Sequence, residues 1–495
     1  MTQSAQVPIE NPDSLFIGGQ WVKPSTDAKI DVIAPATEQL YVSVPDAQEV
    51  DIDRAVAAAR QAFDHGPWPR MRHSERAAYL RAIAAKLTER AADIAQIWPN
   101  EMGIVHSFAR AFARTIGAIY EYYAGLADTF PFEERHDNPP GGGSIALLVR
   151  EPVGVVGAIV PWNAPINIMA YNIAPALLAG CTVVVKSSPE APGHAYIMAE
   201  IAAAVGLPPG VLNIVTADRI NSERLVRHPG VDKIAFTGSS AAGKRIASLC
   251  TERVARFTLE LGGKSAGVIL DDYDIEKAAQ SIAGPACALT GQICSSLTRI
   301  IVTRHRHDAL VDALSSIFKA VRIGDPFDPQ TRLGPLATGR QRERVENLIS
   351  RAISAGTTLA TGGHRPAHLP RGFYIEPTVF ANVDNDSTIA REEIFGPVLC
   401  VIPAKDEAHA VELANDTVYG LNNSVFTEDP DRAYRVARQL RSGTVGHNVF
   451  RSDMMIGFGG FKQSGVGREG GVDGLRPYLE GKTIILDAAP SHVTG

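Results

Sequence analysis

Cysteine is scarce in this chain: five in 495 residues, an odd number with no CxxC pair. That excludes a disulfide framework and a cysteine-built zinc site, and it fits a reducing compartment. Charge of one sign is not in excess either, because 48 Lys and Arg face 54 Asp and Glu, for a formal net charge of −6. A mildly acidic, mixed-sign balance argues against a nucleic-acid binder or a partner of anionic membranes. It leaves room for one local basic site on a phosphorylated ligand. The first basic residue is Lys23, so the N-terminus lacks the basic start of a secretory signal and the Arg-rich pattern of a transit peptide. The expected location is therefore cytoplasmic. Long apolar runs are nearly absent. The exception, 152–185, carries no charge and is long enough to span a membrane. Pro152, Pro161, Pro165 and Pro175 interrupt it, and Asn163, Asn167 and Asn172 punctuate it, so it reads as a strand, a helix and a strand of a protein core.

What is present is ordinary globular composition, 45% hydrophobic and 21% charged, in a length that suggests about three domains. IGGQWV near the N-terminus reads as a hairpin, and helical periodicity follows over 51–64, 74–96 and 107–126. PPGGGS (139–144) breaks the pattern. From 154 onward strands alternate with helices, which predicts βαβ crossovers and a parallel sheet covered on both faces. A second alternating series begins near Gly263. The expected fold is α/β: two doubly wound parallel-sheet domains plus a small β element. The expected boundaries are 1–134 with 155–262 for the first domain, 263–466 for the second, and 135–154 with 467–495 for the small element.

Four places could carry chemistry. Cys294, in TGQICSS, lies in a polar, glycine-broken segment that can expose a thiol, whereas Cys181, Cys250, Cys287 and Cys400 lie in apolar settings suited to structural thiols. Glu260, in LELGGKS, ends an apolar strand, where partial desolvation would raise its pKa and suit a general base; a solvated edge carboxylate is the alternative. Asn163 stands between stiffening prolines in PWNAP, a good setting for an oxyanion donor, although a local turn bond would also explain it. KIAFTGSSAAGK runs from strand to helix through Gly238 and Ser239, where backbone N–H groups could hold a phosphate; it is not GxGxxG.

Together with VVVKSSPEAP (183–192), EEIFGPV (392–398) and GFGGFKQSGVGRE (457–469), these segments resemble the aldehyde dehydrogenase superfamily in content and order over nearly the whole chain. The resemblance implies oxidation of an aldehyde to a carboxylic acid with NAD, and possible use of NADP, through a cysteine thiohemiacetal and a thioester. It implies Cys294 as nucleophile, Glu260 as general base and Asn163 as oxyanion-hole side chain, with the Cys294 N–H as second donor. It further implies a cofactor site of Trp162, Lys186, Gly238, Ser239, Gly262, Glu393 and Phe395, with Lys186 on the adenosine ribose. No metal is expected. The resemblance makes the first domain a Rossmann-like cofactor-binding domain, the second the catalytic domain and the small β element an oligomerisation arm, in an implied homodimer or homotetramer.

The chain departs from the family pattern in places. Pro189 stands where many members carry the ribose-binding Glu, with Glu190 the nearest acid, which puts exclusive NAD use in doubt. Leu289 replaces a frequent Asn, a change expected to matter little, and His447 replaces a more usual apolar residue and is expected to be a satisfied loop histidine. The positions expected to line the substrate pocket, Ala164, Tyr171, Ile293, Ser295, Phe450, Ser452 and Phe458, are apolar, aromatic or small, with Arg451 between two of them. They favour a hydrophobic or aromatic aldehyde over a dicarboxylic semialdehyde. A CoA-acylating relative would be expected to lack Glu260, and a non-enzymatic role would be expected to have lost Cys294, Glu260 or Asn163.

Overall fold

The protein is described by a computed structural model over residues 7–137 and 139–490; the remaining ends of the expected first and last segments lie outside the described residues. Its largest sheet has eight strands. Five are parallel, in the order Arg256–Glu260, Lys233–Thr237, Val155–Ile159, Thr182–Ser187 and Leu212–Thr216. Val155–Ile159, Thr182–Ser187 and Leu212–Thr216 are buried along their whole length, as strands with both faces covered must be. The uncharged stretch is the centre of this domain: strand Val155–Ile159, helix Pro165–Ala179 and strand Thr182–Ser187. The helix starts with Pro165 in its first turn and stops at left-handed Gly180. Among the described residues, no helix is long and apolar enough to cross a membrane.

Antiparallel strands close both edges of this sheet. At one edge is the expected hairpin, Leu15–Ile17 with Gln20–Val22, turned by Gly18 (φ 64°) and Gly19 (φ 78°). Two positive φ angles are what a tight two-residue hairpin turn demands. At the other edge Gly465–Val466 pairs with Arg256–Glu260, with Glu260 opposite Gly465. The glycine-rich tail thus comes back over the strand end that carries Glu260.

The second sheet has seven strands, ordered Thr358–Thr361, Thr378–Ala381, Val398–Ala404, Leu297–Thr303, Ser265–Ile269, Asn422–Phe426 and Thr444–His447. All neighbours are parallel except the first pair. A third, antiparallel sheet joins Leu479–Leu486, Ile145–Pro152 and Glu133–Asp137.

Three local readings differ from the pattern. The helix expected over 74–96 is two, His73–Glu89 and Ala91–Met102, broken at Arg90, whose guanidinium bonds Asp93, Glu200 and the Pro8 carbonyl. The one expected over 107–126 is also two, His106–Ala113 and Gly117–Thr129. Helix Gly339–Ser354 was not anticipated because its surface is highly charged; only Val345, Leu348, Ile349 and Ala352 are buried.

Candidate active site

Parallel α/β sheets offer ligands the crevice beyond their strand C-termini. Four neighbouring strands of the large sheet deliver five of the singled-out residues there. Glu260 ends Arg256–Glu260, Gly238 and Ser239 follow Lys233–Thr237, Asn163 follows Val155–Ile159, and Lys186 lies at the end of Thr182–Ser187. The Gly238 N–H donates to the Glu260 carbonyl at 2.9 Å, tying two of these ends together. Cys294 comes from the other side, in the turn that enters Leu297–Thr303 of the second sheet. As a residue it is half-buried, whereas the other four cysteines are buried, and its sulfur is enclosed enough to be desolvated.

The reactive groups are coupled electrically. Burial pushes the Cys294 thiol up to about 12, with the Glu393 and Glu260 carboxyls adding to the rise. Glu260 is itself raised well above the usual carboxylate range, first by burial and then by Glu469. Neither Glu260 carboxylate oxygen has a hydrogen-bond partner. A buried acid without partners is costly to hold unless something is to be bound there. Asn163 is buried and its Nδ2 donates to the Gln292 carbonyl at 3.0 Å, two residues before Cys294. The Asn163 carbonyl accepts from Trp98 Nε1 at 3.1 Å, which fixes the segment between the two prolines.

The residues implied for the cofactor form a track between the two sheets. Lys186 is buried, which brings its amine down to about 8, against the opposing pull of Glu190, Asp218 and Asp46. The Ser187 hydroxyl beside it is buried without a partner. Ser239 caps helix Ser240–Thr251, its hydroxyl accepting the Ala242 N–H, so the helix N-terminus opens toward the crevice. Glu393 lies so close to Gly262 that a Cβ there would stand 2.3 Å from its Oε2. The Trp162 and Phe395 rings meet edge to face at 5.3 Å. A buried amine, an orphaned hydroxyl, a helix N-terminus and a carboxylate against glycine backbone fit an extended dinucleotide. Pro189 indeed leaves no carboxylate at its own position, but Glu190 keeps one near Lys186, held by Ser188 Oγ at 2.5 Å and by Arg340 at 2.7 Å.

The expected pocket residues are less uniform. Tyr171 and Ser295 are buried, while Ala164 and Ile293 are half-buried. Tyr171 belongs to the same apolar cluster as Trp162, Ala164, Leu289 and Met454, whereas Phe450 packs against the core of the second sheet. Phe458 is buried and its backbone pairs with Glu469, whereas Ser452 and Arg451 are exposed. His447 is satisfied as expected, its Nε2 3.0 Å from the Thr427 carbonyl, but it ends strand Thr444–His447 and is not in a loop.

Sequence reasoning gave no role to Glu469, although it closes the quoted GFGGFKQSGVGRE motif. It is a buried carboxyl brought up to about 7, accepting from Asn172 and Thr237, and it acts on Glu260. Leu289 also differs from expectation. Its backbone is left-handed (φ 48°, ψ 28°), a region that Asn tolerates and Leu resists, so the replacement carries a conformational cost.

The family model for the aldehyde dehydrogenase family matches residues 21–484. Geranial dehydrogenase of Castellaniella defragrans is 43% identical over 95% of this chain and 98% of its own. Betaine aldehyde dehydrogenase 1 of rice is 41% identical over 95% and 94%. An aldehyde dehydrogenase of Mycobacterium tuberculosis, solved with NAD+, superposes with a TM-score of 0.93 at 43% identity, covering 98% of this chain and 99% of that one. The fold alone hosts many activities; it is the family match over nearly the whole chain that defines an NAD(P)-dependent oxidoreductase. The chain belongs to the aldehyde dehydrogenase family and is an enzyme that oxidises aldehydes to carboxylic acids.

Proposed function

We propose that this enzyme oxidises an uncharged, apolar aldehyde with NAD, and with NADP less efficiently, using Cys294, Glu260 and Asn163. The observation that carries the assignment of roles is the partnerless, buried Glu260 carboxyl acting on the one cysteine that is only half-buried. Cys294 first loses its thiol proton to solvent; the thiolate then adds to the aldehyde carbon, making a thiohemiacetal whose oxyanion is met by the Asn163 amide and the Cys294 N–H. The bound nicotinamide supplies the hydride acceptor. Cys294 then holds a thioester. Glu260 acts in its ionised form, in which the raised pKa makes it a stronger base; it takes a proton from the water that hydrolyses the thioester and returns it to the departing sulfur. The carboxylic acid leaves and the free sulfur is restored.

Lys186 and Glu190 would meet the adenosine ribose, Ser239 and the helix it caps the pyrophosphate, and Glu393 with Phe395 the nicotinamide ribose and ring. Glu190 disfavours a 2′-phosphate, whereas Lys186 and the exposed Arg340 next to it favour one. We divide the chain functionally into a cofactor-binding domain (1–134, 155–262), a catalytic domain (263–466) and an oligomerisation arm (135–154, 467–495), and place it in the cytoplasm as a dimer or tetramer.

The apolar substrate is supported by the apolar or aromatic character of the expected pocket positions Ala164, Tyr171, Ile293, Phe450 and Phe458, and by the likeness to a geranial dehydrogenase. A panel of medium-chain, terpenoid and aromatic aldehydes, with betaine aldehyde as the cationic control, tests this by absorbance of the reduced cofactor. The apolar aldehydes should give the higher kcat/KM. A tenfold preference for betaine aldehyde would overturn the substrate class.

A further inference from the structure

The turn that carries the nucleophile is built against its own preferences. Helix Ile275–Cys287 ends in a turn in which Leu289, Thr290 and Gly291 are all left-handed, at φ 48°, 55° and 71°. Left-handed backbone is unfavourable for L-residues, and a β-branched residue such as Thr is among the least suited to it. Something must hold the turn.

Gln292 is fully buried, and each of its polar atoms is engaged. Its Nε2 and its backbone N–H both donate to the Leu289 carbonyl, at 3.0 and 3.1 Å. Its Oε1 accepts the Ala337 N–H at 3.0 Å. Its own carbonyl accepts from Asn163 Nδ2 at 3.0 Å. Thr290 adds a bond from its hydroxyl to the Gly334 carbonyl at 3.2 Å. The side chain therefore clips the strained turn to the 334–337 segment, while the carbonyl of the same residue grips the oxyanion amide from the other sheet. An amide nitrogen has two protons. With one committed to the Gln292 carbonyl, the amide cannot rotate freely, and the other proton keeps a fixed direction.

We propose that Gln292 is a positioning residue for the oxyanion hole: its side chain sets the place of its own carbonyl, which orients Asn163 for the charge that develops beside Cys294. This rests on the roles of Cys294 and Asn163 given above. Gln292→Met keeps the length and removes both side-chain bonds; Gln292→Glu keeps an acceptor for Ala337 and removes the donor to Leu289. Three quantities separate positioning from mere support: the rate of the first-turnover burst of reduced cofactor, the rate at which iodoacetamide alkylates Cys294, and the Kd for NAD by titration calorimetry. Alkylation consumes the same sulfur but forms no oxyanion.

In Gln292→Met the burst should slow at least tenfold, with alkylation and the NAD Kd within threefold of the parent, and Gln292→Glu should fall in between. A burst within twofold of the parent would overturn the proposal. So would parallel loss of burst and alkylation, which would mean that the sulfur itself had moved. If Gln292→Met does not fold, the same comparison is read on Gln292→Glu with a threefold slowing of the burst alone as the expected result. Failure of the underlying reading is distinguishable, because the parent enzyme would then give no aldehyde-dependent burst at all.

Discussion

Cys294 and Glu260 are both held toward their protonated forms by burial, and each works only after losing its proton. The sign of the pH dependence follows. With both pKa values raised, the reactive fraction grows as pH rises, so kcat/KM and kcat should climb from pH 6 to pH 9, by up to about tenfold per unit while the limiting group is mostly protonated. A flat profile over that range, measured with saturating NAD, would contradict the assigned pair. Asn163→Ala removes one oxyanion donor and should lower kcat by about 10²–10³ with little change in aldehyde KM. An effect confined to KM would make Asn163 a binding residue instead.

At the scale of elements, the nucleophile turn docks closely on the loop after Glu393. A Cβ at Gly291 would stand 2.3 Å from the Gly396 carbonyl carbon and 2.4 Å from Pro397 N, on a backbone at φ 71°. Gly291→Ala should therefore destabilise the protein by about 2 kcal/mol or more and lower the melting temperature by several degrees; an unchanged melting curve would show that the two loops part easily. This contact also marks where sequence reading stops. The alternating α/β pattern was legible because buried strands such as Val398–Ala404 are continuous apolar runs. Glu260 and Asn163 stood out because each interrupts an apolar or proline-stiffened segment with one polar side chain, and Cys294 because its polar, glycine-broken setting differs from those of the other four cysteines. The break at Arg90, the polar helix Gly339–Ser354 and the clamp by Gln292 were not. Each depends on partners far away in the chain, such as Glu200 for Arg90 and Ala337 for Gln292, and no local spacing encodes those.

At the scale of the molecule, the three-stranded sheet has an unfinished side. Leu479–Leu486 pairs with Ile145–Pro152 over its whole length, but among the described residues no strand pairs with its other edge, and Ile485 is half exposed there. Such an edge is a liability unless covered, and a second copy of the chain is the proposed cover. Deleting the residues after Glu480 should reduce oligomerisation or solubility before it touches the chemistry. Light scattering of the intact enzyme checks the premise: a stable, active species of 52.9 kDa would contradict it.

The central claim is the division of labour between Cys294 and Glu260, and the most direct measurement is intact-mass spectrometry of Glu260→Gln after mixing with NAD and aldehyde. The substitution keeps the shape of the side chain and removes the base. The account predicts one burst of reduced cofactor per site, then slow turnover, with an acyl group on Cys294 in the mass spectrum. Fast steady turnover, or a burst with no mass added at Cys294, would contradict it.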